Sequence, residues 1–109
     1  MQESEWKRFR QLHVVALNRF CEKVLQEISQ ITADATKSPH ERYLQIFKVL
    51  RERDRVVADA FDDLRRSTAL MQLAIIYAQG LINDDELRDF TQETRDAVLS
   101  MSRPRTSSP

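Results

Sequence analysis

The residues of this chain that chemistry could use are two histidines, one cysteine and a run of acids followed by arginines. His13 and His40 stand far apart without a neighbouring ligand set. No Glu-x-x-His pair occurs, so a di-metal helical bundle would lack its histidines. Zinc requires a cluster of Cys and His that a single cysteine cannot supply. No metal and no cofactor is therefore expected. His13, in an apolar stretch, reads as a hydrogen-bonded core residue, and His40 as solvated. Cys21 sits beside Phe20, Val24 and Leu25 and reads as a buried, inert thiol. A lone cysteine excludes an internal disulfide and fits a reducing compartment.

Asp59, Asp62 and Asp63, followed by Arg65 and Arg66, are spaced so that carboxylates and guanidiniums meet across one helix face. An active site would also need a pocket, a nucleophile and a perturbed pKa. The expectation is a solvated charged face and a chain that is not an enzyme. Asn83-Asp84-Asp85-Glu86 has the acids of a calcium loop but not its alternating ligands, central Gly or terminal Glu. No glycine-rich phosphate loop is present.

Basic residues cluster at Lys7, Arg8 and Arg10 and again at Lys48, Arg51, Arg53 and Arg55. Ile76 to Gly80 followed by a further helix has the outline of a helix-turn-helix. The would-be recognition helix, however, is acidic. Asp84, Asp85, Glu86, Asp89, Glu93 and Asp96 oppose only Arg88 and Arg95, a local charge of −4. Acids there would face phosphates, where recognition helices place donors. The whole chain balances 17 basic against 17 acidic residues, without the excess of Lys and Arg that a phosphate grip needs. Nucleic acid is disfavoured as a partner. The reading that survives on that side is a nucleic-acid-associated regulator using the arginine patch of the long helix.

The elements that would position these groups are helices. The chain has 109 residues, 41% hydrophobic and 31% charged, with one Gly and three Pro, so it has few turns and no strand signal. A first helix is expected from an N-cap at Ser4, with apolar residues at Trp6, Phe9, Leu12, Ala16, Leu17, Phe20, Val24, Ile28 and Ile31 recurring at steps of three and four. It fades over residues 32–37. Ser38-Pro39-His40-Glu41 is a capping box with proline at the first helical position. From there a three-four stripe runs through Phe47, Leu50, Asp54, Val57, Phe61, Leu64, Thr68, Met71, Ile75 and Ala78 to Gly80, a coiled-coil-like seam. With no Gly or Pro inside it, the favoured reading is one unbroken helix over 39–79. The alternative is a break near Ser67. Asn83 with Glu86 opens a short helix, and Thr91 caps a last one.

These elements predict an all-α fold: a long antiparallel helical hairpin plus short C-terminal helices in a dimeric helical bundle. The alternative is a monomeric four-helix bundle. Residues 1–101 form a single domain and 102–109 a disordered tail. The segment from Ala69 to Ala78 is apolar on nearly every side and must be covered all round. A hairpin partner of equal length would not reach it. A second copy is the economical cover, through Phe61, Leu64, Met71, Ile75, Ile76 and Tyr77. The charged faces, with Arg51, Arg55, Asp84 and Asp85, would then select another protein partner. About ten apolar residues are half of what a membrane span requires, and residues 1–6 lack the apolar run of a signal peptide. The expectation is thus a cytoplasmic, non-enzymatic helical protein-protein interaction module, an adaptor, inhibitor or regulatory subunit that acts as a homodimer.

Overall fold

The computed structural model describes residues 1–102, which form five helices and no strand. Helix α1 spans Glu3–Thr32, α2 Pro39–Phe61, α3 Arg66–Ala78, α4 Asp84–Leu87 and α5 Gln92–Ser102. Ser102 closes α5, and the remainder of the expected tail lies outside the described residues.

Helix α1 starts two residues earlier than its serine suggests, at Glu3 with Gln2 as N-cap. The Gln2 N–H donates to the Glu5 carboxylate (3.3 Å). The turn after α1 is held by Asp34, which accepts from the Thr36 N–H (3.1 Å). Arg42 donates to the Thr32 carbonyl (2.6 Å) at the end of α1. At the start of α2 the Ser38 hydroxyl accepts from the Glu41 N–H and the Glu41 carboxylate from the Ser38 N–H, both at 3.1 Å. The chain thus reverses, and α2 runs antiparallel to α1.

The unbroken helix over 39–79 is corrected by the structure. Helix α2 stops at Phe61, and the break falls at residues 62–65, slightly before Ser67. Asp62 is extended and Asp63 is left-handed (φ 59°), a conformation that aspartate tolerates better than most side-chain-bearing residues. The carbonyls released by the break find partners. The Phe61 carbonyl accepts from His13 Nε2–H (3.0 Å) and the Asp62 carbonyl from Gln72 Nε2–H (2.6 Å). The Thr68 hydroxyl lies within 3.1 and 3.2 Å of the Asp63 and Arg65 carbonyls. Such side-chain capture replaces the Gly or Pro that a sharp break usually shows.

Beyond the break, α3 turns back and packs on α1, α2 and α5. It ends in a Schellman motif. Gly80 (φ 71°) is left-handed, its N–H bonding Tyr77 O (3.0 Å), and the Leu81 N–H bonds Ile76 O (3.1 Å). This arrangement suits glycine. Asn83 and Glu86 then form the expected capping box over α4.

The core gathers at one end. Its continuous cluster takes Phe9 to Phe20 from α1, Ala60 and Phe61 from α2, and residues from all of the chain up to Val98. Here Ala69, Leu73, Ala74 and Ile76 of α3 are buried by the chain's own helices. The geometric reason for requiring a second copy over residues 69–78 is thereby removed: the break lets α1, α2 and α5 cover that segment.

Candidate interaction face

The core cluster stops at Phe20 in α1 and resumes only at Ala60 in α2. Between these limits the two helices form an arm packed mainly on each other, with Val24, Val56 and Val57 also reaching the core cluster. Ile31 and Val49 are the buried apolar side chains there, with Val24, Ile28, Ile46, Val56 and Val57 partly covered. A bidentate ion pair, Arg53 to Glu27 (2.9 and 3.1 Å), closes one edge of the seam.

The opposite edge is open and apolar. Leu25 is 67% exposed, Tyr43 66%, Phe47 53% and Leu50 48%. Steps of four and three place Tyr43, Phe47, Leu50 and Asp54 in one stripe of α2. Cys21, Leu25 and Ile28 make the matching stripe of α1. The two stripes share a face, since Cys21, Leu25, Leu50 and Asp54 line one depression of about 250 Å³ together with Phe20, Val24, Val57 and the Arg53 side chain, which also borders it. At roughly half the area of large apolar side chains each, the four exposed residues present about 450 Å² of apolar surface. That matches the largest such patch on ordinary monomers, which is often functional.

Cys21 is exposed on this face rather than buried, a correction to its sequence reading. Phe20, Val24 and Leu25 line the depression with it, but the depression opens outward and leaves the thiol exposed.

The proposed dimer residues divide. Phe61 and Ile76 belong to the core of the same chain, and Ile75 and Tyr77 pack against it. Leu64 lies in the break and Met71 points outward. Met71 is 60% exposed, with Leu64 exposed and Ile75 partly covered on the same stripe. The partner-binding residues divide as well. Arg51 and Arg55 line a depression of the arm with Phe47, Lys48 and Glu52, the Arg51 guanidinium lying 5.8 Å from the Phe47 ring centre. Asp84 and Asp85 lie at the head, where Asp84 accepts from the Tyr77 hydroxyl (2.6 Å) and Asp85 from Arg88 (2.7 Å). The structure does not join these two pairs in one site.

Other candidates resolve into structural contacts. His13 is buried, donates to Phe61 O and packs edge-on to the Phe61 ring (5.3 Å between centres). His40 is exposed. Among the acids and arginines near the break, Asp63 pairs with Arg65 (2.6 Å) and Arg66 with Glu3. The acids of residues 83–86 serve helix α4: Glu86 accepts from the Asn83 N–H (3.0 Å) and pairs with Arg19 (2.7 Å). The Arg19 guanidinium holds the Glu86 carboxyl below its usual range despite burial. Among the described residues no group of three or more His, Cys, Asp and Glu is placed to hold a metal, and no helix is long and apolar enough to cross a membrane.

Sequence reasoning missed the arm face as a site, although Phe47, Leu50 and Asp54 stand in the seam it described, which did not include Tyr43. The signal would have been the break at Asp62, which returns α3 to the core and leaves the arm without cover. Compared with protein-family models, curated proteins and solved structures, the chain matches none.

Proposed function

We propose that this chain is a non-enzymatic helical protein-interaction module whose working surface is the open face of the arm. One observation carries the reading. A closed helical head holds out two helices whose outer stripe is apolar and uncovered, centred on Leu25, Phe47 and Leu50. Exposure of such a patch is costly in water, and its occupant is a matching apolar helical surface, because the exposed stripe runs along two turns of α2 from Tyr43 to Leu50 beside Leu25 of α1. The charged rim, Arg51 and Arg55 beside Phe47, gives orientation and selectivity.

A photo-crosslinking amino acid placed at position 47, at native expression in living cells, tests this. Adducts to a protein chain from position 47, and none from the exposed Arg10 of the head, are the expected outcome. An absence of adducts from positions 25, 47 and 50 alike would sink the reading. A second reading rests on Lys48, Arg51 and Arg55 lying in one depression: contact with a duplex phosphate backbone. Binding that weakens steeply with salt and vanishes in Arg51→Gln/Arg55→Gln would favour it.

A further inference from the structure

The stripe on α2 has a property that narrows the occupant. Tyr43, Phe47, Leu50 and Asp54 are separated by four, three and four residues. The stripe on α1, Cys21, Leu25, Ile28 and Thr32, has the same spacing. A four-three-four spacing reads the same in either direction. An antiparallel copy of each stripe therefore meshes with it about a two-fold axis through its middle. The two middles are level with each other, because Leu25 and Leu50 line the same depression.

Resting on the reading of the arm as an interaction surface, we propose that its occupant is the arm of a second copy of this chain. The tips point in opposite directions, and the pair forms an antiparallel four-helix bundle. Phe47 of one copy then packs on Leu50 of the other, and Leu25 on Ile28. At the ends of the stripe the phenol of Tyr43 meets the carboxylate of Asp54, the one acid on the face. The chemistry is thus complementary as well as the spacing. Tyr43 donates and Asp54 accepts, twice per dimer.

Four further features agree. With tips opposed, the two heads lie at opposite ends and do not collide. Two helices with stripes at three-four spacing are half of a four-helix bundle, and a two-fold pair closes it without leaving an apolar edge. The four exposed apolar side chains with their rims cover about 600 Å² per copy, hence about 1,200 Å² for the pair, the lower edge of stable specific interfaces. Zero net charge removes the self-repulsion that keeps strongly charged proteins apart.

The test is the mass of the purified full chain by light scattering, from about 1 to about 100 μM, the range over which a micromolar dimer dissociates. The expected mass at the upper end is twice 12.8 kDa. Tyr43→Glu sets a carboxylate against Asp54 of the other copy, as Asp54→Lys sets a lysine against Tyr43, and each should raise the dissociation constant at least tenfold. Tyr43→Glu/Asp54→Lys together should restore association, since Glu and Lys then meet across the axis. Within one chain these positions lie about 16 Å apart along α2, so the rescue reports only contacts between copies. Should a variant fail to fold, the thiol of Cys21 in the unaltered protein gives the answer, its labelling slowing as concentration rises. A monomer at every concentration overturns the proposal, as does a dimer lost in Met71→Glu but kept in Tyr43→Glu. If the purified chain is monomeric while position 47 crosslinks to a different protein in cells, this inference falls and the interaction module stands. If neither occurs, both fall.

Discussion

Replacing Glu5 probes the joint that ties the two ends of the chain together. Glu5 is buried in the first turn of α1, and its carboxylate accepts from the Thr91 N–H (2.7 Å) and the Thr94 hydroxyl (3.1 Å). Thr91 in turn caps α5, its hydroxyl accepting from the Thr94 N–H (3.3 Å). A negative charge thus sits at the N-terminus of α5, where the helix dipole favours it. Glu5→Ala strips a partner from a part-buried N–H, which costs about 1–3 kcal/mol, and removes the charge, worth about 1 kcal/mol more. The sum, about 3 kcal/mol, is a large part of the stability of a domain of this size. It should lower Tm by about 10–20 °C. Glu5→Gln keeps an acceptor oxygen and should lose about 1 kcal/mol. Burial raises the Glu5 pKa, but the hydrogen bonds from Thr91, Gln2 and Thr94 outweigh it, so the net shift is downward from 4.5. The sign follows: the carboxylate stabilises the fold above that value and the contribution fades as pH falls through the lower folded value. Urea unfolding followed by circular dichroism, at one protein concentration and several pH values, measures this. The difference between the unaltered chain and Glu5→Gln should be full at pH 7 and begin to close below pH 4.5. Equal stability at pH 7, or a difference unchanged by acid, would refute the account.

Two further substitutions test the break that frees the arm. Asp63→Val places a β-branched residue at a positive φ and should cost about 1–2 kcal/mol; an unchanged urea midpoint would mean the break does not need that conformation. His13→Leu keeps comparable volume but leaves the Phe61 carbonyl without its donor, a loss of about 1–2 kcal/mol readable in the same unfolding curves, and full stability would deny His13 its role at the break.

Helix existence and several boundaries were legible because their causes are local. The capping boxes at Ser38 and Asn83 and the Gly80 terminus each depend on residues within a few positions of one another. The break at Asp62 was not legible, because its partners come from elsewhere. Gln72 is ten residues beyond Asp62 and His13 forty-eight residues before Phe61, and residues 40–79 carry no Gly or Pro. The misreading of Cys21 has the same origin: whether its flank of α1 is covered depends on where α3 goes.

The sequence by itself determined an all-helical chain, the amphipathic stripes and the turn that reverses α1 into α2, since periodicity and capping are properties of neighbouring residues. Only the tertiary structure decided which stripe the chain buries and which it leaves open. Both α3 and the arm carry apolar surface, α3 on nearly every side and the arm along one stripe of each helix. The fold closes over the first because a helix broken at Asp62 returns its fully apolar segment to the core, where it is covered on every side. The arm, apolar along one stripe only, is left open on that side.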